Sequence, residues 1–166
     1  MAKTAFITGI TGQDGAYLSE FLLNKGYTVV GLVRSYTQSN IRNLDYLGVS
    51  GRVILEGCDL TDITQIIKLI KRYKPDEIYN RAAQSSVSLS FSQPIGTLQF
   101  NVVSVLNLLE SIKMLDATDE IKFYQASSSE MYGKVPELPI TENTAFPPLS
   151  PYANSKAKAH WITVNY

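Results

Sequence analysis

Tyr152 and Lys156 stand four residues apart, a spacing that places two side chains on one helix face, one turn from each other. An ammonium beside a phenol favours the phenolate and draws its pKa from about 10 toward neutrality. A tyrosine so placed can take a proton from a sugar or alcohol hydroxyl. The same spacing also describes an ordinary tyrosine and lysine on a helix surface. A second set, Ser127-Ser128-Ser129-Glu130, directly follows a short apolar run. Ser128 could donate to the oxygen that Tyr152 deprotonates, and Glu130 would add a carboxylate to the same crevice. The plainer alternative is a serine-rich turn with a solvated glutamate.

A third stretch, Gly9-Ile10-Thr11-Gly12-Gln13-Asp14-Gly15, has the chemistry of a phosphate cradle. One glycine permits a tight turn, one lets backbone approach a pyrophosphate, and one allows a helix to pack closely on a strand. The phosphates then sit on exposed N–H groups at the helix start. The spacing is Gly-x-x-Gly-x-x-Gly rather than the standard Gly-x-Gly-x-x-Gly. Arg34 lies 22 residues after Gly12, where an acidic residue would bind a ribose 2′-hydroxyl and an arginine suits a 2′-phosphate. NADP is therefore expected over NAD. Asp59 is either an acceptor for the adenine amino group or a helix-start carboxylate. Asn101, on an apolar helix face, reads as a hydrogen-bonded structural residue, and Tyr132 and His160 as packing or surface residues.

The elements that must position these groups follow from periodicity. Ala5-Phe6-Ile7-Thr8 is a buried strand, and Ala16, Leu18, Phe21 and Leu22 mark one side of the helix after it, which Lys25-Gly26 should stop. Strands are predicted at Tyr27–Val33, Val53–Gly57, Glu77–Asn80 and Ile121–Ala126. The stretch from Ser35 to Gly51 reads as a long loop with one helical turn around Ile41–Leu47. A helix with Ile63, Ile66, Ile67, Leu69 and Ile70 inward should start at Asp62, and another should run from Thr97 to Leu115. Four of the seven prolines fall between Gly133 and Pro148, which predicts a loop. Ser150-Pro151 opens the last helix, with serine as N-cap and proline at its first position. Strand and helix alternate throughout, so the fold class is α/β, a doubly wound parallel sheet with its crevice at the carboxyl ends of the strands.

The 166 residues fit one domain, with 45% apolar and 18% charged residues. The 15 basic and 15 acidic residues cancel, which argues against nucleic-acid or membrane-surface partners. No apolar run is expected to span a bilayer, and no signal-peptide shape is expected at the N-terminus. The single cysteine, Cys58, excludes an internal disulfide and a cysteine metal cluster, and reads as a small buried apolar residue. No metal is expected, and a reducing, cytoplasmic setting is the default.

In order along the chain stand Gly9-Ile10-Thr11-Gly12-Gln13-Asp14-Gly15, Gly57-Cys58-Asp59-Leu60, Ala82-Ala83-Gln84-Ser85, Ser127-Ser128-Ser129-Glu130-Met131-Tyr132-Gly133 and Ser150-Pro151-Tyr152-Ala153-Asn154-Ser155-Lys156. Together they resemble the extended short-chain dehydrogenase/reductase family and, within it, the GDP-mannose 4,6-dehydratases, over essentially the whole chain. The resemblance implies an NADP-binding Rossmann domain over 1–166, the first part of a longer protein whose C-terminal substrate-binding part is absent. It implies a redox-neutral lyase acting on GDP-mannose. Tyr152 would deprotonate the 4-hydroxyl, Lys156 would tune the phenol and hold the nicotinamide ribose, Ser128 would bind the sugar oxygen, and Glu130 would remove the C5 proton.

Cofactor contacts are implied for Gly9, Ile10, Thr11, Gly12, Gln13, Asp14, Gly15, Arg34, Ser35, Asp59, Leu60, Ala82, Ala83, Gln84, Ser85, Tyr152 and Lys156. Substrate contacts are implied for Ser86, Ser128 and Glu130. The resemblance further implies a homo-oligomer, dimer or tetramer, in which the loop from Ser35 to Asn43 reaches a neighbour's cofactor. Three positions depart from the family pattern: Ser128 stands where threonine is commoner, Arg34-Ser35 replaces paired arginines, and a tyrosine near Gly96 is missing. A related nucleotide-sugar epimerase or reductase, and a non-catalytic NADP-binding fragment, are the alternative readings.

Overall fold

The computed structural model describes residues 2–34 and 40–166. Five strands, β1 (Thr4–Thr8), β2 (Thr28–Val33), β3 (Ile54–Gly57), β4 (Glu77–Asn80) and β5 (Lys122–Gln125), form one parallel sheet in the order β3-β2-β1-β4-β5. Chain reversal of strand order on either side of β1 is the doubly wound topology expected from the alternating pattern. Register is fixed by pairs such as Phe6 with Val30 and with Ile78. Both of those neighbours and Phe6 itself are buried, as required of a central strand covered on both faces.

The helices are α1 (Gln13–Asn24), α2 (Arg42–Tyr46), α3 (Ile63–Tyr73), α4 (Val87–Ser92), α5 (Pro94–Met114) and α6 (Pro151–Asn165). Their ends obey the local signals. Gly26, with φ of +81°, follows the last turn of α1, and the Tyr27 N–H returns to the Leu22 carbonyl. Asp62 caps α3 by accepting from the Thr64 N–H at 2.9 Å. Ser150 caps α6 by accepting from the Ala153 N–H at 3.0 Å, with Pro151 in first position.

The residues fall into two compact units, Met1–Ala82 with Asn107–Tyr124, and Ala83–Leu106 with Gln125–Tyr166. In the first, Ala5, Ile7, Val29 and Val33 of the sheet bury against Ile10, Ala16 and Leu22, with Leu44 and Val49 closing the cluster. In the second, α6 contacts α4 and the 3-10 turn Ser129–Tyr132.

Three expectations need correction. Phe21 is exposed, its ring under the Lys25 ammonium at 4.7 Å, because the buried stripe of α1 is Gly15, Ala16, Ser19 and Leu22. Close approach of α1 to the strands is made by small residues, and this stripe leaves Phe21 on the outer side. The helix α4 was not foreseen; Ser86 starts it by accepting from the Leu89 N–H at 3.2 Å. Finally, α5 is long and apolar enough by length and composition to cross a membrane, contrary to the expectation of no such run. Its buried residues include Thr97, Asn101 and Ser111, a polar content suited to a core helix, since their hydroxyls and amide find protein partners.

Candidate active site

In the first unit the three glycines take different places in one turn. Gly9 turns the chain with φ of +65°, a conformation that side chains resist. The Gly12 N–H closes the turn on the Gly9 carbonyl at 3.1 Å, and Gly12 itself is exposed as the N-cap of α1. Gly15 lies against the turn: a Cβ there would collide with the Gly9 carbonyl oxygen and stand 2.7 Å from Ile10 Cα. Backbone N–H groups therefore stand at an exposed helix start with no side chain over Gly12, a shape that fits a pyrophosphate.

Of the residues expected to touch a cofactor, Ile10 and Leu60 are buried, so neither presents its side chain at the surface. The Ile10 side chain fills the space beside Gly31. Thr11 offers its carbonyl to the Asn43 amide at 2.9 Å. Asp59 accepts from the Thr61 N–H at 2.9 Å and from its hydroxyl at 2.7 Å. Those bonds, backbone first, hold its carboxyl below the usual range, and the nearby Arg34 adds to the effect. Asp59 thus closes a turn on Thr61 ahead of α3, whose cap is Asp62. Ser35 and most of the loop expected to reach a neighbour lie outside the described residues.

Two features of this unit were missed. Thr8, at the end of β1, donates to Asn80 Oδ1 at 2.6 Å and accepts from the Arg81 and Ala82 N–H groups at 2.9 Å each. It thereby fixes the exit of β4 beside Gly9, whose own Cβ position would be 3.0 Å from Ala82 N. Arg81 pairs with Asp14 in the first turn of α1. A threonine followed by glycine at a strand end was the available signal for the first; nothing local signals the second.

In the second unit, Gln84 links the turn after β4 to α5. Its amide donates to Thr97 Oγ1 at 2.9 Å, and its Oε1 accepts from the Ser86 N–H at 2.6 Å. Asn101 accepts from the Gln84 N–H at 2.8 Å and donates to the Gln84 carbonyl at 3.1 Å and to Ser155 Oγ at 2.9 Å. The structural role expected for Asn101 is therefore observed. Ser85 and Ser86 are exposed, as is Glu130, while Ala83 is half-buried.

Tyr152 and Lys156 lie in α6, both buried. The Lys156 ammonium donates to the Ala126 carbonyl just past β5. Two residues on, the Ser128 hydroxyl accepts from the Glu130 N–H at 3.2 Å and starts the 3-10 turn that carries Glu130. The turn and α6 are joined by rings. Tyr132 meets Phe146 edge-on at 5.0 Å, Phe146 meets His160 at 5.1 Å, and His160 meets Trp161 at 5.1 Å. Tyr132 and His160 are thus packing residues, as expected. Phe146, from the proline-rich loop, is the ring common to both.

A buried lysine held to a main-chain carbonyl and followed back one helical turn by a tyrosine can hold a hydroxylated ligand and move a proton from it. Ser128, two residues past Ala126, and the exposed Glu130 carry the hydroxyl and the carboxylate of the adjoining turn.

The family model described as GDP-mannose 4,6 dehydratase matches residues 6–166. The chain is 47% identical over 169 residues to GDP-mannose 4,6-dehydratase of Yersinia enterocolitica, covering 99% of this chain and 45% of that protein. It is likewise 47% identical over 170 residues to the Homo sapiens protein of that name, covering 99% and 46%. The chain spans about half the length of the curated relatives it matches. Among solved structures, UDP-glucose 4-epimerase of Thermus thermophilus in complex with NAD superimposes with a TM-score of 0.82 at 30% identity, covering 97% of this chain and 50% of that one. The Bifidobacterium longum UDP-glucose 4-epimerase, in complex with NAD+ and UDP, gives 0.85 at 28% identity, covering 98% and 48%.

Proposed function

The chain belongs to the GDP-mannose 4,6-dehydratase family, and from that premise we propose that it is the nucleotide-binding and catalytic portion of an NADP-dependent enzyme converting GDP-mannose to GDP-4-keto-6-deoxymannose. The observation that carries this reading is Lys156, a buried ammonium tied to the Ala126 carbonyl, one turn beyond Tyr152. The main-chain cradle from Gly9 to Gly15 supports it by fitting a dinucleotide pyrophosphate.

The bound dinucleotide would supply a hydride acceptor and donor within one turnover, which leaves the reaction redox-neutral. Tyr152 takes the proton of the sugar 4-hydroxyl, and Ser128 hydrogen-bonds that oxygen. Lys156, one turn beyond Tyr152, holds the nicotinamide ribose during the transfer. Once C4 is a ketone, the C5 proton is acidic, and Glu130 removes it as water leaves C6. Ser86 contributes to sugar binding. In the first unit Gln13 and Asp14 present N–H groups to the phosphates across the bare Gly12; Arg34 takes the 2′-phosphate that distinguishes NADP from NAD, and Asp59 accepts from the adenine amino group. Ala82, Ala83, Gln84 and Ser85 line the remaining ribose.

The test is to incubate the 166-residue chain with GDP-mannose and NADP and follow the sugar nucleotide by mass. A product lighter by one water is expected. An isomer of unchanged mass would make the chain an epimerase, and NADP binding without turnover would reduce it to a nucleotide-binding module. In a parallel titration NADP is expected to bind more tightly than NAD, and the reverse order would overturn the assignment of Arg34.

A further inference from the structure

The glycine turn contains an electrostatic contradiction. A helix start offered to a pyrophosphate should carry no negative charge, yet Asp14 stands in the first turn of α1 with its side chain 72% exposed. The turn from Gly9 to Gly15 has no basic residue of its own. Arg81, the first residue beyond β4, closes the gap: its Nη2 donates to Asp14 Oδ2, and its side chain is 21% exposed. Its backbone is held on the same turn, with the N–H on Thr8 Oγ1 at 2.9 Å and the carbonyl carbon 3.0 Å from where a Gly9 Cβ would be. Paired with Asp14, the guanidinium stands at the first turn of α1, beside the Gln13 and Asp14 main chain. It carries five N–H donors in a rigid fork suited to phosphate oxygens.

We propose that Arg81 is a phosphate-binding residue of the nucleotide site, cancelling the charge of Asp14 and donating to the dinucleotide's pyrophosphate. The inference rests on the nucleotide-binding reading above and extends it to a side chain that the glycine pattern does not contain. The sheet order gives it a distinctive signature. Arg34 ends β2 and Arg81 follows β4, on opposite sides of β1. Arg34 should therefore discriminate between NADP and NAD, whereas Arg81, acting on the phosphates common to both, should not.

Calorimetric titration of the 166-residue chain with NADPH and with NADH tests this. Arg81→Leu is expected to weaken both by about tenfold or more, leaving their ratio within twofold, because a charge-assisted pair is lost and Asp14 is left uncompensated. Asp14→Asn is expected to tighten both by at least about threefold, since the repulsion is removed and the guanidinium released. Both affinities within twofold of the parent in Arg81→Leu overturn the proposal. If that variant lacks the parent's circular dichroism spectrum, Asp14→Asn decides alone, and unchanged affinity there overturns it. A parent chain that binds neither dinucleotide removes the nucleotide-binding reading itself, an outcome distinct from binding that ignores Arg81.

Discussion

Asn101 of α5 donates to Ser155 of α6 at 2.9 Å, one residue before the lysine assigned to catalysis. The same amide exchanges two hydrogen bonds with the main chain of Gln84. All three bonds converge on a side chain that is 3% exposed. Asn101→Leu removes them while keeping the volume, leaving the Gln84 N–H and carbonyl without that partner. The cost expected is about 2–4 kcal/mol of unfolding free energy, read from urea denaturation. A loss within about 0.5 kcal/mol would mean that the network is replaced by water at little cost.

Much of this architecture was legible because its determinants are local. Ser150-Pro151 starts a helix through contacts within three residues, and Lys25-Gly26 stops one in the same way. The glycine turn was equally readable, since crowding by its own backbone fixes where glycine is required. What was not legible depends on distant partners. Arg81 and Asp14 are 67 residues apart and meet only because β4 lies beside β1. Phe146 sits in a loop without periodicity, yet its ring joins the Glu130 turn to α6. Phe21 was assigned inward on hydrophobicity alone, whereas the buried stripe of α1 is Gly15, Ala16, Ser19 and Leu22, small residues for the most part.

Gly12 and Gly15 should separate stability from binding. At Gly15 an added methyl meets Gly9 and Ile10 main-chain atoms, which no rotamer change can relieve. Gly15→Ala is expected to lower stability by about 3 kcal/mol or more. At Gly12 the nearest atom is the Gly9 carbonyl oxygen at 3.3 Å, and the residue is exposed. Gly12→Ala should remain within about 1 kcal/mol of the parent and yet weaken dinucleotide binding, because its methyl occupies the approach of the phosphates. Thermal melts and a binding isotherm on the same samples distinguish the two effects.

Cys58 provides a pH signature. Burial, and then the carboxylates of Asp59 and Asp62, push its thiol up from 9.0 to about 11. Below pH 9 the thiol is protonated in native and unfolded chains alike and contributes no slope. Above that, the unfolded chain releases its proton first, so the native state binds more protons and its stability falls as pH rises from 9.0 through about 11. The loss should be on the order of 2–3 kcal/mol and should be absent from Cys58→Ala. At about pH 8 a disulfide reagent should label the unfolded chain and leave the native thiol unmodified.

Glu130→Gln distinguishes a dehydratase from an epimerase. The side chain is exposed, and the Ser128 hydroxyl fixes the backbone that carries it. The substitution preserves size and hydrogen bonding and removes only the capacity to take a proton. In the proposed mechanism Tyr152, not Glu130, serves oxidation at C4, so reduction of the nicotinamide on adding GDP-mannose should persist, visible as its near-ultraviolet absorbance. Elimination needs a base at C5, and formation of the dehydrated sugar nucleotide should fall by about 10²–10⁴-fold, the usual contribution of a positioned general base. Product formation at the parent rate would remove Glu130 from the mechanism; loss of both signals would place its role before elimination, in substrate binding or C4 oxidation.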